Sequence, residues 1–197
     1  MEPIILASSS PRRQEILKEL GIPFKVIMPE IDETIPTDIP TDKLSEYFAT
    51  RKVDAVMRSL PQGQFIPWIL GCDTLIIDEN GTPYGKPETQ EEATKYLQKL
   101  SGKTHRVISS IALFNSKLNY LDTRTNETYV TFKEMSQEEI NWYVNTGEWH
   151  GAAGGYRIQG KASMFIKKIE GSYSSVVGLP IFEIYDIMLG QGYSIIE

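Results

Sequence analysis

A carboxylate inside an apolar run is the first feature of this sequence that suggests chemistry. Asp73 interrupts the apolar residues 68–78 and is followed by Thr74. Burying an acid is costly unless it is paired, hydrogen-bonded or bound to a metal ion. At the edge of a sheet such a group could bind Mg²⁺ or orient a water molecule, although an aspartate that caps a turn is the plainer alternative. Asp32 and Glu33, which follow a predicted strand, supply a second candidate pair of carboxylates.

Hydroxyl and guanidinium groups gather where a short apolar strand gives way to a predicted helix. Ser8, Ser10, Arg12 and Arg13 surround Pro11, which suits the first helical position. Free backbone N–H groups and the helix dipole make such a junction an anion site, and arginine forks suit phosphate oxygens. The alternative is an ordinary capped helix with solvated arginines. Cations are unfavourable near the positive end of a helix dipole, so their presence mildly favours the phosphate interpretation.

Two lysines and a glutamine extend the set of candidates. Lys86 lies between Gly85 and Pro87, which would present it from a fixed loop. Lys52 falls within a predicted helix, where a solvated lysine on the helix surface is the plainer interpretation. Gln159 stands in a glycine-rich segment, which indicates a backbone shaped around a ligand with a neutral amide pointing towards it.

Strands and helices that would position these residues alternate along the chain. The predicted elements are a strand over 3–7, a helix from Pro11 to the stop at Gly21, a strand over 24–28, an amphipathic helix over 41–60, helices opened by capping boxes at Thr89 and Ser136, long strands over 105–114 and 118–132, and a final helix over 180–189. Because the two long strands are consecutive, an α/β fold with a mixed sheet flanked by helices fits better than a purely parallel one. Without a repeat or linker, residues 1–197 are predicted to form a single domain.

Composition and charge exclude several classes of function. The net charge of −6 argues against polynucleotide binding, which requires a basic face, but not against small phosphorylated ligands. One cysteine, Cys72, and two histidines leave little basis for a thiol hydrolase, a zinc site or a disulfide. Neither a signal peptide nor an apolar run of about 20 residues that could span a bilayer is recognisable. We therefore expect a soluble cytoplasmic protein.

In their order along the chain, these motifs resemble the Maf family of nucleotide pyrophosphatases, once named for effects on septum formation. The similarity covers nearly the whole chain, and ordered agreement at this many places is far more specific than any single piece. The matching pieces are Leu6-Ala-Ser-x-Ser-Pro-Arg-Arg13, Asp32-Glu33, Lys52, Gly71-x-Asp-Thr74, Lys86-Pro87, Leu100-Ser-Gly-x-Thr-His-x-Val107, Val130-Thr-Phe132, Ala153-Gly-x-Tyr156, Ile158-Gln-Gly160, and Gly171-Ser-Tyr173 with Val176-Val-Gly-Leu-Pro180.

The resemblance implies an elongated α/β fold like that of inosine triphosphate pyrophosphatases, with two lobes around one central cleft. It also implies cleavage of a nucleoside triphosphate between its α and β phosphates, dependent on Mg²⁺ or, as a second choice, Mn²⁺. Asp73 matches the family's proposed general base, and Arg12, Thr74 and Gln159 match positions associated with substrate choice. A homodimer is left open.

A mechanism follows from this resemblance. Ser8 and Ser10 would donate hydrogen bonds to phosphate oxygens, and Glu33 with Asp73 would hold the metal ion. The triphosphate would be neutralised by the basic residues Arg12, Arg13, Lys52 and Lys86.

Gln159 favours pyrimidine substrates. Thymine and uracil present a carbonyl beside an N–H group, and an amide can pair with both at once. The family branch that acts on 7-methyl-GTP has glutamate at this place, which would suit the two adjacent donors of guanine. We therefore expect hydrolysis of dTTP and UTP, or of modified pyrimidine nucleotides.

One departure from the family pattern keeps other interpretations open. Members often carry Asp-Lys where this chain has Gly151-Ala152, which could reduce activity. The alternatives are therefore a non-catalytic nucleotide-sensing regulator of cell division, or an enzyme of the same family for another nucleotide such as 7-methyl-GTP.

Overall fold

The protein is described by a computed structural model that covers residues 1–61 and 67–196. The strands of this part of the chain are β1 (Ile4–Ala7), β2 (Phe24–Val26), β3 (Trp68–Ile77), β4 (Pro83–Tyr84), β5 (Thr104–Asn115), β6 (Tyr120–Phe132) and β7 (Ile166–Glu170). Its α-helices are α1 (Pro11–Glu19), α2 (Leu44–Ser59), α3 (Gln90–Leu100), α4 (Gln137–Asn145), α5 (Tyr173–Val177) and α6 (Ile181–Gly190), and short 3-10 helices cover Thr41–Lys43, Ala153–Gly155 and Lys161–Phe165.

The strands form one mixed sheet. Its order is β2-β1-β3-β5-β6-β7, with β4 paired to β3. β1 runs parallel to β2 and β3, whereas β4 is antiparallel to β3 and β7 is antiparallel to β6. The prediction of an α/β fold with a mixed sheet is therefore confirmed.

Two compact units, each with its own apolar core, make up the chain. The first comprises Met1–Asp73, Ser109–Asn126 and Gly178–Glu197, and the second comprises Thr74–Ile108 and Glu127–Val177. The first core includes Ile5, Val53, Ile69 and Ala112. The second includes Leu97, Phe132, Tyr143, Tyr156 and Phe165. A central cleft, and a single domain over residues 1–197, stay predictions.

Local sequence signals explain where several helices begin and end. α1 begins at Pro11, and Gly21 beyond its end adopts a left-handed conformation with φ of 69°. Ser10 occupies the position before α1 without forming a side-chain cap. Ser136 forms both hydrogen bonds of a capping box at α4. At α3 only half of the predicted box is present, because the Glu92 carboxylate accepts from the N–H of Glu88 instead.

α2 and β3 are in close contact at Gly71. A Cβ atom there would lie 2.3 Å from the carbonyl oxygen of Ala49 and 2.7 Å from Cγ2 of Val53, so the contact requires glycine. Side chains alternate along a strand, so Asp73 shares the sheet face of Gly71. Lys52 precedes Val53 on the packed helix. The same contact therefore brings a lysine and an aspartate together.

We expect Gly71→Ala to lower the free energy of unfolding by at least about 2 kcal/mol, because the added methyl group collides with the backbone of Ala49 as well as with the side chain of Val53. Urea unfolding of the purified variant measures the change. Gly190→Ala is the matched control, since no atom lies within 4 Å of a Cβ at that position. Equal stability of the two variants would contradict the packing argument.

Candidate functional site

Two carboxylates converge on one buried lysine in the first unit. Nζ of Lys52 lies 2.6 Å from Oδ1 of Asp73 and 2.9 Å from Oε1 of Glu33. The side chains of Lys52 and Asp73 are only 7% and 15% exposed, whereas that of Glu33 is 52% exposed. The interpretation of Lys52 as a solvated lysine is therefore wrong. A buried ammonium group is tolerated where opposite charge compensates it.

The surroundings of Asp73 alter its proton affinity. Burial raises the pKa of Asp73, and the positive charges of Lys52 and Arg13 oppose that change without cancelling it. A carboxylate with a raised pKa is a better proton acceptor near neutral pH than an ordinary one. Burial also raises the pKa of Cys72 to about 11, so its thiol stays protonated at neutral pH. This agrees with the expectation that Cys72 is not a nucleophile.

Ser45 is a contributor to the site that the sequence analysis did not identify. Its hydroxyl group donates to the carbonyl oxygen of Asp73 at 2.9 Å and accepts from the N–H of Ser110 at 3.0 Å. It is fully buried on α2, about two helical turns before Lys52. One hydroxyl group thus bridges β3 and β5 beside the candidate base. A polar residue on the apolar face of α2 was the signal that could have revealed it.

Arg13 ties the start of α1 to β3. Its Nη1 atom donates to Oγ of Ser8 and to the carbonyl oxygen of Cys72, both at 2.9 Å. Its Nε atom donates to the carbonyl oxygen of Gly178 at 2.8 Å. Ser8 Oγ also accepts from the N–H of Ser10 at 3.3 Å. The guanidinium group is buried and holds the predicted phosphate-binding hydroxyl group in place.

The structure thus gathers Ser8, Arg13, Glu33, Lys52 and Asp73 within the first unit. Ser10 and Arg12 adjoin them in the chain, and both are partly buried. How each of these residues meets a substrate stays a prediction.

The remaining candidates belong to the second unit. Thr74 follows Asp73 on β3 and is partly buried, whereas Lys86 is exposed between β4 and α3. Gln159 is exposed beside the 3-10 helix Lys161–Phe165, and within residues 1–61 and 67–196 its amide has no hydrogen-bond partner. The amide is therefore available to a ligand. The roles of these three residues in binding stay predictions.

The loop around Gln159 begins at a buried tyrosine that is hydrogen-bonded to a buried histidine. Tyr156 is buried, and its hydroxyl group lies 2.7 Å from Nε2 of His105. Burial lowers the pKa of His105 to about 4, so the ring is neutral at neutral pH. Tyr143 adds a hydrogen bond of 3.1 Å from the N–H of Arg157 to its hydroxyl oxygen. Aromatic side chains therefore fix the start of this loop.

The donor set suits a metal ion that takes few protein ligands. In the described ranges no cluster of three or more histidine, cysteine, aspartate or glutamate side chains could hold a metal. Glu33 and Asp73 each direct a carboxylate oxygen at Nζ of Lys52, so in this structure the ammonium group occupies the point where the two side chains meet. Mg²⁺ commonly binds one or two carboxylates and completes its shell with waters and substrate phosphates. These two residues fit that pattern.

The mixed sheet and the buried carboxylate–ammonium group define an α/β protein with a charged site on a central strand. Residues 3–190 match the family of Maf-like proteins, and the chain belongs to that family.

Relatives with known names are similar over nearly their whole length, and each is named dTTP/UTP pyrophosphatase. The protein of Treponema denticola is 42% identical, covering 95% of this chain and 96% of its own. That of Desulforamulus reducens is 41% identical over the full length of both. That of Symbiobacterium thermophilum is 42% identical, covering 99% of this chain and 97% of its own. Among solved structures, the Ham1 protein of Staphylococcus aureus matches 66% of this chain and 72% of its own with a TM-score of 0.48 and 16% identity.

No helix within residues 1–61 and 67–196 has the length and apolar character needed to cross a bilayer.

We expect Lys52→Met to lower the free energy of unfolding at pH 7.5 by about 3 kcal/mol, because it leaves the Asp73 carboxylate buried without its nearest cation. The folded state with a raised Asp73 pKa binds more protons than the unfolded state. The free energy of unfolding of the variant should therefore fall as pH rises through the pKa of Asp73 in the folded state. The substitution should accordingly cost less stability at pH 5 than at pH 7.5.

Urea unfolding at both pH values measures this difference. The double variant Lys52→Met with Asp73→Asn is the control, since it removes the unpaired charge and with it the pH dependence. An equal loss at pH 5 and pH 7.5 in the single variant would show that Asp73 is not the titrating group.

Proposed function

We propose that this protein is a nucleoside triphosphate pyrophosphatase that hydrolyses dTTP and UTP, and modified pyrimidine nucleotides with the same base edge, to the monophosphate and pyrophosphate. The observation that carries the proposal is the buried group in which Lys52 contacts both Asp73 and Glu33. The names of relatives that align along nearly the entire chain support the substrate class.

Asp73 is the proposed general base. Its raised pKa suits it to accept a proton from the water molecule that attacks the α-phosphate. Lys52 keeps the carboxylate ionised and adds positive charge beside the reacting phosphate. Glu33 and Asp73 would hold Mg²⁺, with Mn²⁺ as the second choice, and the ion would supply a Lewis acid that stabilises developing charge.

Recognition of the triphosphate uses the basic and hydroxyl residues. Arg12 and Lys86 would neutralise phosphate charge, and the hydroxyl groups of Ser8 and Ser10 would donate to phosphate oxygens. The hydrogen bond from Arg13 to Ser8 supports this role, since it orients the hydroxyl oxygen. Local positive charge of this kind lets an acidic protein bind an anion.

Base recognition is assigned to Gln159, with Thr74 as a second contributor to substrate choice. The exposed, unbonded amide within the described chain supports this assignment, because one donor and one acceptor match the edge of uracil or thymine.

The two alternative functions receive less support. A non-catalytic regulator of cell division would not require the costly burial of Asp73 beside Lys52. An enzyme for 7-methyl-GTP would be better served by a carboxylate than by Gln159. Where family members often carry Asp-Lys, this chain has an exposed glycine and a buried alanine. Gly151 is left-handed with φ of 66°, and Ala152 is 1% exposed.

A cytoplasmic homodimer completes the proposal. Nucleoside triphosphates are made and consumed inside the cell, which supports the location. Phe182, Tyr185 and Leu189 form an exposed apolar stripe on α6, which supports association, since such patches commonly mark interaction surfaces.

We expect Asp73→Asn to reduce kcat for dTTP and UTP by at least about 100-fold, because the amide cannot accept the proton from water. Pyrophosphate release measured with and without Mg²⁺ tests both this expectation and the proposed function. Circular dichroism and urea unfolding establish that the variant is folded. Near-normal turnover by the folded variant would remove Asp73 from the mechanism, and no pyrophosphate from the wild-type protein would refute the function.

We expect Gln159→Glu to lower the ratio of kcat/KM for UTP to that for 7-methyl-GTP by about 5- to 150-fold, by analogy with bidentate reading of base edges. The substitution replaces the amide donor by an acceptor that repels the uracil carbonyl oxygen. Initial rates on both nucleotides give the ratio for wild type and variant. Glu138→Gln, an exchange of carboxylate and amide at an exposed residue of α4, serves as the control. An unchanged ratio in Gln159→Glu would show that another residue reads the base.

A further inference from the structure

Glu148 directs its carboxylate group at the loop that carries Gln159. Its Oε2 atom accepts from the N–H of Lys161 at 2.8 Å, and Oε1 lies 3.6 Å from Nζ of the same lysine. The Glu148 side chain is 20% exposed and the Lys161 side chain 49% exposed. The hydrogen bond to the main chain is the shorter of the two contacts, and it lies two residues beyond Gln159.

Gly160 is shaped around this carboxylate group. A Cβ at that position would lie 2.3 Å from Oε2 and 3.0 Å from Cδ of Glu148. The backbone at Gly160, with φ of −106° and ψ of −153°, is extended, so an alanine could adopt it. A Cβ at this position therefore has room only if the Glu148 carboxylate group moves.

Within the described chain, hydrogen bonds to the flanking main chain hold the peptide groups around Gln159, including one of 3.1 Å from the N–H of Ser163 to the carbonyl oxygen of Gly160. The Gln159 amide has no protein partner there, so its direction depends on the residues that flank it. On one side the N–H of Gly160 donates to the carbonyl oxygen of Arg157 at 3.1 Å. On the other side Glu148 holds the N–H of Lys161. Bidentate reading of a base edge tolerates displacements of only about 0.5 Å, so loss of either anchor should affect it.

We propose that Glu148 is a positioning residue for pyrimidine recognition, which fixes the Gln159 amide by binding the N–H of Lys161 across Gly160. The proposal rests on the proposed function of Gln159 as the base reader. Glu148 itself does not contact the base. Its effect is transmitted through two peptide bonds, and it should therefore change which base is preferred.

The measurement is the ratio of kcat/KM for UTP to that for CTP. Cytosine presents an amino donor where uracil presents a carbonyl oxygen, while phosphates and sugar stay the same. Glu148→Ala should lower the ratio about tenfold, within the range for a disturbed bidentate contact. The loss should fall mainly on KM for UTP, since Asp73 and the phosphate-binding residues are untouched. A purely structural role would lower the rates on both nucleotides equally.

Two variants serve as controls, one for the loss of charge at Glu148 and one for the loss of a carboxylate group elsewhere on the surface. Glu148→Gln keeps an oxygen that accepts from Lys161 and should restore most of the ratio. Glu138→Ala removes a carboxylate at an exposed position of α4 and should leave the ratio and the rate unchanged. If Glu148→Gln behaves like Glu148→Ala, the charge rather than the hydrogen bond matters, and the proposal is overturned.

Gly160→Ala provides an independent test that leaves Glu148 in the chain. The new methyl group would displace the movable end of the Glu148 side chain, so this variant should lower the UTP/CTP ratio like Glu148→Ala at little cost in stability. In the double variant Glu148→Ala with Gly160→Ala, the second substitution should lower the UTP/CTP ratio by less than about a further twofold, because the effects of neighbours that act through one contact are not additive. Full additivity would overturn the proposal.

Failure of this proposal and failure of the proposed function give different results. If Gln159→Ala lowers the UTP/CTP ratio but neither Glu148→Ala nor Gly160→Ala does, Gln159 reads the base without help from Glu148. If Gln159→Ala also leaves the ratio unchanged, the assignment of base recognition fails and this proposal with it. If the wild-type protein releases no pyrophosphate from UTP, the function itself is wrong.

Discussion

A lysine ammonium group held between two carboxylates is the interaction on which the candidate site depends. Lys52 and Asp73 are both largely buried, so either charge alone would carry a desolvation cost of several kcal/mol. They compensate each other only where α2 lies directly against β3. Gly71 permits that approach, since a Cβ there would overlap the backbone of Ala49. Packing and electrostatics therefore constrain the same few residues. A substitution that moves α2 away from β3 would also separate Lys52 from Asp73.

The main chain of β3 around Asp73 is held by side chains. The pairing of β1 with β3 ends at Gly71, and beyond it Arg13 binds the carbonyl oxygen of Cys72 while Ser45 binds that of Asp73. The Ser45 hydroxyl group also accepts from the N–H of Ser110 on β5, so one side chain links the two neighbouring strands. Saturating both carbonyl oxygens fixes the strand on either side of the proposed base. An aspartate presented from a rigid strand is better placed for proton transfer than one on a loop.

Each of the two units contains candidate residues of its own. The first unit holds the proton acceptor and the carboxylates suited to a metal ion, and the second holds the amide proposed to read the base. Each relies on a glycine at a point of close approach, Gly71 in the first and Gly160 in the second. Gly71 admits the backbone of α2 at Ala49, and Gly160 admits the carboxylate group of Glu148.

The sequence alone determined the family, the α/β class and the helix boundaries that depend on near neighbours. Pro11 begins α1, and the capping box at Ser136 joins residues within one helical turn, so such signals can be read locally. Only the tertiary structure showed that Lys52 is buried, because its partner Asp73 lies 21 residues away. The same holds for Glu148 and Lys161, which are 13 residues apart. Contacts at such separations depend on how helices and strands pack, and no periodicity of the chain encodes them.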